Sequence, residues 1–324
     1  MQITCEICKL GIDSKPIAKY KTYSLYHCKT CDTMFWYPME SMLAETYGAD
    51  DLAGALSYLN LRSAPWAHGQ FFINPPAKGA ELLEIGCSTG EFLDRARGSG
   101  YSVTGIDSAK ETVEFARSHF GIQEVYASTI QEFIGRNPAH KFDVIAFFQV
   151  LEHVNDVPDF MQSVILQLKP DGFLSISVPN RDRWRFHSER FFMEKWDLPP
   201  SHITRWNVKS LVNLLESHGF SILSAEAEPF KLFDNSWNNF ISHKLGINPL
   251  AERFTRRAVG RAHYSSIKTS GNNLRKTLTT WAGRLYLKVF LPFLGLITLP
   301  LRIILMKQGL TIYVLVSRTK KGEG

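Results

Sequence analysis

The sequence predicts an α/β fold with a mainly parallel sheet, preceded by a small cysteine module. Three observations carry that reading. Apolar runs near residues 81–85, 102–106, 123–126, 143–148, 173–178, 220–228 and 311–317 alternate with helical segments, the pattern of a sheet covered by helices on both faces. The first run breaks into the small-residue turn Gly86-Cys87-Ser88-Thr89-Gly90, and the second ends on Asp107. Four of the five cysteines fall within residues 5–31 as two Cys-x-x-Cys pairs.

At 324 residues the chain exceeds one ordinary domain, so a catalytic domain with additions at its ends is expected. A hydrophobic content of 44% with 12% aromatics excludes a disordered chain. The start, Met1-Gln2-Ile3-Thr4-Cys5, has no secretory signal pattern, which points to a cytoplasmic chain without disulfides. The net charge of +6 is concentrated between Glu252 and Lys288, where Glu252 is the only acid.

Residues 1–40 read as a zinc-ribbon-like module. Cys5, Cys8, Cys28 and Cys31 form two pairs separated by 19 residues, the arrangement in which two tight turns present four thiolates to one tetrahedral ion. Four thiolates leave no open position, so the expected zinc is structural rather than catalytic; redox or iron–sulfur use is the competing reading. Alternation over Ile17–His27 predicts ribbon strands. The module has too few apolar residues of its own to hold together without metal. Residues 41–77 follow as a helical linker.

In the next unit, Gly86 and Gly90 permit close backbone approach, and the helix starting near Glu91 offers free N–H groups to a polar cofactor. Asp107, 17 residues after Gly90, is placed to accept hydrogen bonds from ribose hydroxyls; capping the following helix is its alternative role. G-x-G-x-x-G and G-x-x-x-x-G-K-[ST] are both absent, which excludes the usual dinucleotide and phosphate-loop sites. Asp143 reads as structural, and Cys87 as a small packing residue rather than a nucleophile.

The run Glu84-Ile85-Gly86-Cys87-Ser88-Thr89-Gly90 resembles the first motif of class I S-adenosylmethionine-dependent methyltransferases, an acid, one residue and G-x-G-x-G, with Ser88 replacing the middle glycine. The resemblance continues in order through Asp107, Ser128–Phe133, Phe142–His153 and Leu168–Leu174, roughly residues 78–180. It implies a Rossmann-like sheet of seven strands, the last antiparallel, formed by residues 78–230 and 310–319. The cofactor-binding residues it implies are Glu84, Gly86, Cys87, Ser88, Gly90, Asp107, Ser108, Thr129, Ile130 and Gln149. The layout from Arg181 onward is similar to the branch with ubiquinone-type and glycan-cluster methyltransferases, in which the position of His202 opens the final helix.

An acceptor hydroxyl must lose a proton, and His153, following the fourth strand at the site mouth, is the first candidate base; His202 is the second. For both, a purely structural role competes. Trp184, Phe186, Phe191, Phe192 and Trp196 are either an acceptor pocket or the core of a covering loop. Residues 231–309 form an insertion too long for a hairpin, expected as a helical cap on the catalytic domain or as a segment (252–306) meeting the inner face of a membrane.

The acceptor expected by family analogy is a hydroxyl on a sugar nucleotide, lipid-linked glycan or related envelope precursor. An isoprenoid quinone or lipid phenol is the alternative, and a non-catalytic adaptor on the same fold is the alternative of another class. Nucleic acid is disfavoured: Asn74-Pro75-Pro76 lies far from the fourth strand, where the similar element of amino-methyltransferases belongs.

Overall fold

The computed structural model describes residues 3–12, 15–41, 65–77, 79–183, 197–229 and 308–318, together with Pro300. Seven strands form the main sheet: β6 (Glu81–Ile85), β7 (Ser102–Asp107), β8 (Val125–Ala127), β9 (Phe142–Phe148), β10 (Leu168–Pro179), β12 (Phe220–Ala227) and β13 (Thr311–Arg318). Their spatial order is β12-β13-β10-β9-β6-β7-β8. Only β13 is reversed, antiparallel to both β10 and β12, as the family resemblance implies. The strand order turns back between β6 and β9, and in open α/β sheets the crevice at that switch point is where ligands sit.

The side-chain period of two along a strand divides the core between the sheet's faces. In β9, Val144, Ala146 and Phe148 pack with Phe71, Phe92 and Tyr313. Ile145 and Phe147 pack on the other side with Ile85, Ile176 and Val314. The covering helices are α1 (Trp66–Ile73), α2 (Glu91–Gly98), α3 (Lys110–Phe120), α4 (Ile130–Arg136), α5 (Val157–Gln167) and α6 (Val208–Ser217). Thr129 and Glu132 form a reciprocal capping box at the start of α4, and Asn207 accepts from Ser210 N–H at the start of α6; such caps contribute about 1 kcal/mol each.

The cysteine module is built from β1 (Ile3–Thr4), β2 (Gly11–Ile12), β3 (Ala18–Tyr20), β4 (Tyr23–His27) and β5 (Met34–Tyr37), all paired antiparallel. It does not stand by itself. A strand from beyond residue 200, β11 (Thr204–Arg205), extends the β3-β4-β5 sheet at its β5 edge. Cys5, Ile7, Ile12, Tyr26 and Phe35 join the apolar cluster that also contains Phe147 and Trp206. The shortage of apolar residues inside the module is thus met by the catalytic domain's core.

His202 does not open the final helix. It precedes β11, and α6 begins six residues later at Val208 behind its Asn207 cap; the cap side chain, not the histidine, takes the first-turn amide. The aromatic loop residues Trp184, Phe186, Phe191, Phe192 and Trp196, the linker residues 42–64 and nearly all of the 231–309 insertion lie outside the described residues. Where that insertion leaves and rejoins the sheet, Gly309 N–H donates to Glu228 O at 2.6 Å and Glu228 N–H to Thr311 O at 2.8 Å, so its two ends lie side by side. Among the described residues no helix is long and apolar enough to cross a membrane.

Candidate active site and cysteine centre

The turn after β6 is shaped by positive φ angles at Gly86 (73°), Ser88 (47°) and Gly90 (83°). A Cβ on Gly86 would lie 2.5 Å from Val150 Cγ2, and one on Gly90 would lie 2.8 Å from Ala116 Cβ. The turn is held from the next strand: Asp107 Oδ2 accepts from Ser88 N–H and Asp107 Oδ1 from Ala109 N–H, both at 2.8 Å. Asp107 therefore joins the turn to the start of α3, and a carboxylate has lone pairs beyond those two bonds. Burial raises its pKa, against the two amides that lower it.

Glu84 is buried at the end of β6 and its Oε2 has no hydrogen-bond partner among the described residues. Burial, and then the charges of Asp107 and Glu91, push its carboxyl well above the usual range. A buried, orphaned carboxylate beside a glycine turn is where a cationic ligand group restores the missing partner, so these residues fit a cofactor carrying ammonium and sulfonium charges. Cys87 is buried, and burial raises its thiol pKa; a Cβ on Gly105 would lie 2.9 Å from its Sγ. That is a packing environment.

Gln149 opens the opposite wall with φ 57°. Its N–H donates to Ser177 O (2.8 Å) and its Nε2 to Ser177 Oγ (3.2 Å). Thr129 is occupied by its capping box, Ile130 is buried, and Ser108 is exposed before α3. Asp143 is structural as expected, accepting from Glu81 N–H and pairing with Lys169 at 2.9 Å.

One turn beyond Gln149, a 3₁₀ turn (Leu151–His153) carries Glu152 and His153. His153 and His202 stack edge to face with centroids 4.7 Å apart. His153 Nδ1 lies 2.7 Å from Ser201 O; a carbonyl only accepts, so the proton is on Nδ1 and Nε2 is the acceptor nitrogen. Burial, and then the neighbouring His202, bring His153 down to about 4, which keeps the ring neutral. Glu152 is 1% exposed, neither of its oxygens has a hydrogen-bond partner among the described residues, and burial lifts it to about 8. Glu152, His153 and His202 each offer one ligand atom within 4.8 Å of the others, a spacing that a divalent cation can bridge.

Several residues here carry no signal in the sequence. Asp197 is buried against Arg183, lies 3.3 Å from His202 Nδ1 and 3.9 Å from Arg205. Burial opposes its charge, but Arg183, His202 and Arg205 together hold its carboxyl far below the usual range. His68 of α1 lies between Phe92 and Phe148, with centroids at 5.1 and 4.8 Å, and burial lowers it to about 4. Only the tertiary arrangement brings these groups to the crevice.

The four module cysteines converge as the spacing predicts. Cys5 Sγ lies 3.7 Å from Cys31 Sγ, Cys8 Sγ lies 3.6 Å from Cys28 Sγ, and all four sulfurs are within 4.8 Å of one another. With metal–sulfur bonds of about 2.3 Å, a tetrahedral ion separates its sulfurs by about 3.8 Å, so the donor set and spacing fit zinc. In each knuckle the residue after the second cysteine is left-handed, Lys9 (φ 58°) and Asp32 (φ 61°).

A family model described as a methyltransferase domain matches residues 60–225, more than half of the chain. The chain belongs to this methyltransferase domain family. Its seven-stranded unit is a class I S-adenosylmethionine-dependent methyltransferase domain. The bovine mitochondrial ubiquinone biosynthesis O-methyltransferase is 25% identical over 228 residues, 65% of this chain and 61% of the relative. The ubiquinone biosynthesis O-methyltransferase of Actinobacillus pleuropneumoniae serotype 5b is 39% identical over 110 residues, 32% of this chain and 47% of the relative. The methyltransferase chain thus spans less than two thirds of either relative's length. Among solved structures, coclaurine N-methyltransferase matches with a TM-score of 0.46 and 13% identity, over 78% of this chain and 72% of that one.

Proposed function

We propose that this chain is an S-adenosylmethionine-dependent O-methyltransferase acting on a phenolic hydroxyl of an isoprenoid quinone precursor or lipid phenol. The observation that carries it is His153, neutral and stacked edge to face on His202 beside the glycine turn, in a chain whose relatives are named ubiquinone biosynthesis O-methyltransferases. The sugar-nucleotide acceptor expected first from the sequence has no such support. The basic and apolar 231–309 insertion suits an acceptor with a lipid tail.

Bound S-adenosylmethionine supplies an electrophilic methyl group on a sulfonium. Gly86, Cys87, Ser88 and Gly90 would form its cradle, with Glu84 facing its cationic end, Asp107 and Ser108 the ribose, Thr129 and Ile130 the adenine, and Gln149 the crevice opposite. The chain's main task is to hold the phenol oxygen in line with that methyl and exclude water. His153 Nε2 would take the proton of a phenol held against that methyl group. A weakly basic imidazole needs help to hold a proton, and in the chains whose Glu152 carboxyl is already ionised, near and above pH 8, its charge 4.0 Å from Nε2 would stabilise the imidazolium. We also infer that Cys5, Cys8, Cys28 and Cys31 hold one structural zinc.

The test is methyl transfer by the purified chain to a prenylated catechol, alongside sugar nucleotides, followed by mass spectrometry. A single methyl added to the catechol, and lost in His153→Ala, is expected. Methylation of a sugar nucleotide alone would replace this acceptor, and binding of cofactor with no transfer to either class would favour the adaptor.

A further inference from the structure

The second cysteine knuckle touches the active-site wall through one side chain. Asp32, the residue after Cys31, accepts from His27 Nε2 at 2.7 Å, pairs with Arg181 Nη2 at 3.0 Å and accepts from Asn207 Nδ2 at 3.1 Å. Its carbonyl accepts a second bond from Arg181 Nη1. The left-handed backbone at Asp32 turns both its carbonyl and its carboxylate toward Arg181. Arg181 in turn donates its backbone N–H to Trp206 O at 2.8 Å. A buried guanidinium and an amide from two separate chain segments therefore meet on this carboxylate, and both also reach Asp182, 3.6 Å from Arg181 Nε and 3.0 Å from Asn207 Nδ2.

Those segments meet at the Trp206–Asn207 end of the stretch 201–207. On one side it pairs with the module: Thr204 faces Phe35, Arg205 faces Met34, and Trp36 N–H donates to Ile203 O at 2.8 Å. On the other side it lies along the turn carrying Glu152 and His153. Ile203 N–H donates to Glu152 O (2.9 Å), Thr204 Oγ1 to Leu151 O (3.1 Å), and Ser201 O accepts from His153 Nδ1 (2.7 Å). The wall that holds His202, and sets the ring orientation of His153, is thus a strand of the cysteine module's own sheet. Asp107 and the Gly86–Gly90 turn have no hydrogen bond to the module among the described residues.

We propose that Asp32 is a positioning residue for the acceptor side of the active site. It clamps Arg181 and Asn207 at the Trp206–Asn207 end of the His202 wall, so the cysteine module orients the histidine pair while leaving the cofactor half untouched. The role in turnover rests on the methyl-transfer reading above; the orientation of the rings does not.

The test uses the full chain with its metal, carrying Asp32→Ala or the milder Asp32→Asn, which keeps one acceptor oxygen. Histidine ring NMR signals are assigned with His153→Gln and His202→Gln. In Asp32→Ala the His153 and His202 ring signals are expected to shift, while the Ser88 and Asp107 amides stay in place, zinc content is unchanged and S-adenosylmethionine affinity stays within about twofold. The kcat for a prenylated catechol should fall roughly ten- to hundredfold, as for other small displacements of catalytic groups, with partial recovery in Asp32→Asn. Unmoved ring signals in both variants, or cofactor affinity lost in step with turnover, would overturn the proposal. If the wild type transfers no methyl to the catechol, the acceptor reading fails, and the ring signals still decide the positioning role.

Discussion

Replacing Asp107 with alanine separates a cofactor ligand from a helix cap. The carboxylate accepts two backbone amides, Ser88 N–H and Ala109 N–H, both at 2.8 Å. Thr112 Oγ1 contributes little, since it sits 3.4 Å from Asp107 and only 2.7 Å from Ala109 O. A hydrogen bond to a charged group is worth about 1.5–3 kcal/mol. Against the two lost bonds stands relief of the burial that raises this carboxyl, so the net loss of stability should be about 1–3 kcal/mol. If the remaining lone pairs hold the two ribose hydroxyls, removing them costs at least about 3 kcal/mol of affinity, roughly a hundredfold in Kd. The assay is calorimetric titration with S-adenosylmethionine, run with thermal melts of Asp107→Ala and Asp107→Asn. A variant with a lowered melting temperature that binds cofactor within about threefold of wild type would refute the ribose assignment and leave Asp107 as a clamp on the turn and α3.

Three further outcomes are expected. Gly90→Ala forces a side chain into φ 83° with its Cβ 2.8 Å from Ala116 Cβ, an atom fixed to a helix backbone; it should cost about 2–4 kcal/mol in denaturant melts and weaken cofactor binding, and a neutral result would mean the turn relaxes freely. Removing metal with a chelator should first unfold the cysteine module and expose the β5 edge to proteolysis, while the cofactor site keeps its affinity; an unchanged cleavage pattern in metal-free protein would count against a zinc that holds the module. Glu152 is protonated in the folded chain up to about pH 8 but ionises near 4.5 when unfolded, so the stability it contributes is full below 4.5 and lost as pH rises toward 8. Glu152→Gln should therefore melt progressively higher than wild type as pH rises from 5 to 8, with reduced methyl transfer, and parallel melting curves across that range would show that the carboxyl is not shifted.

The seven strands and the cofactor turn were legible because they depend on neighbours in sequence. The apolar runs stand within a few residues of the observed strands, and the Gly86 and Gly90 turn and Asp107 lie at the ends of consecutive strands that pair in register from Glu81–Ser102 to Ile85–Ile106. The cysteine pairs were legible for the same reason, since a Cys-x-x-Cys turn sets its own geometry. The place of His153 just after β9 was readable. Its neutrality was not, because the shift arises from burial and from His202, 49 residues away.

By itself, then, the sequence determined the α/β class, the two knuckles and the small-residue turn, each written in local periodicity or short spacing, while the reversed last strand was implied by the resemblance to class I methyltransferases. Tertiary structure alone decided that β11 joins the cysteine module's sheet rather than leading straight into a helix, that Asp32 meets Arg181 and Asn207 across 149 and 175 residues, and that Asp197 lies between two arginines and His202. Those contacts leave no period in the chain. They follow from where the sheet's switch point places the loops after β9 and β10, and from an edge strand of the module whose unpaired backbone groups needed a partner.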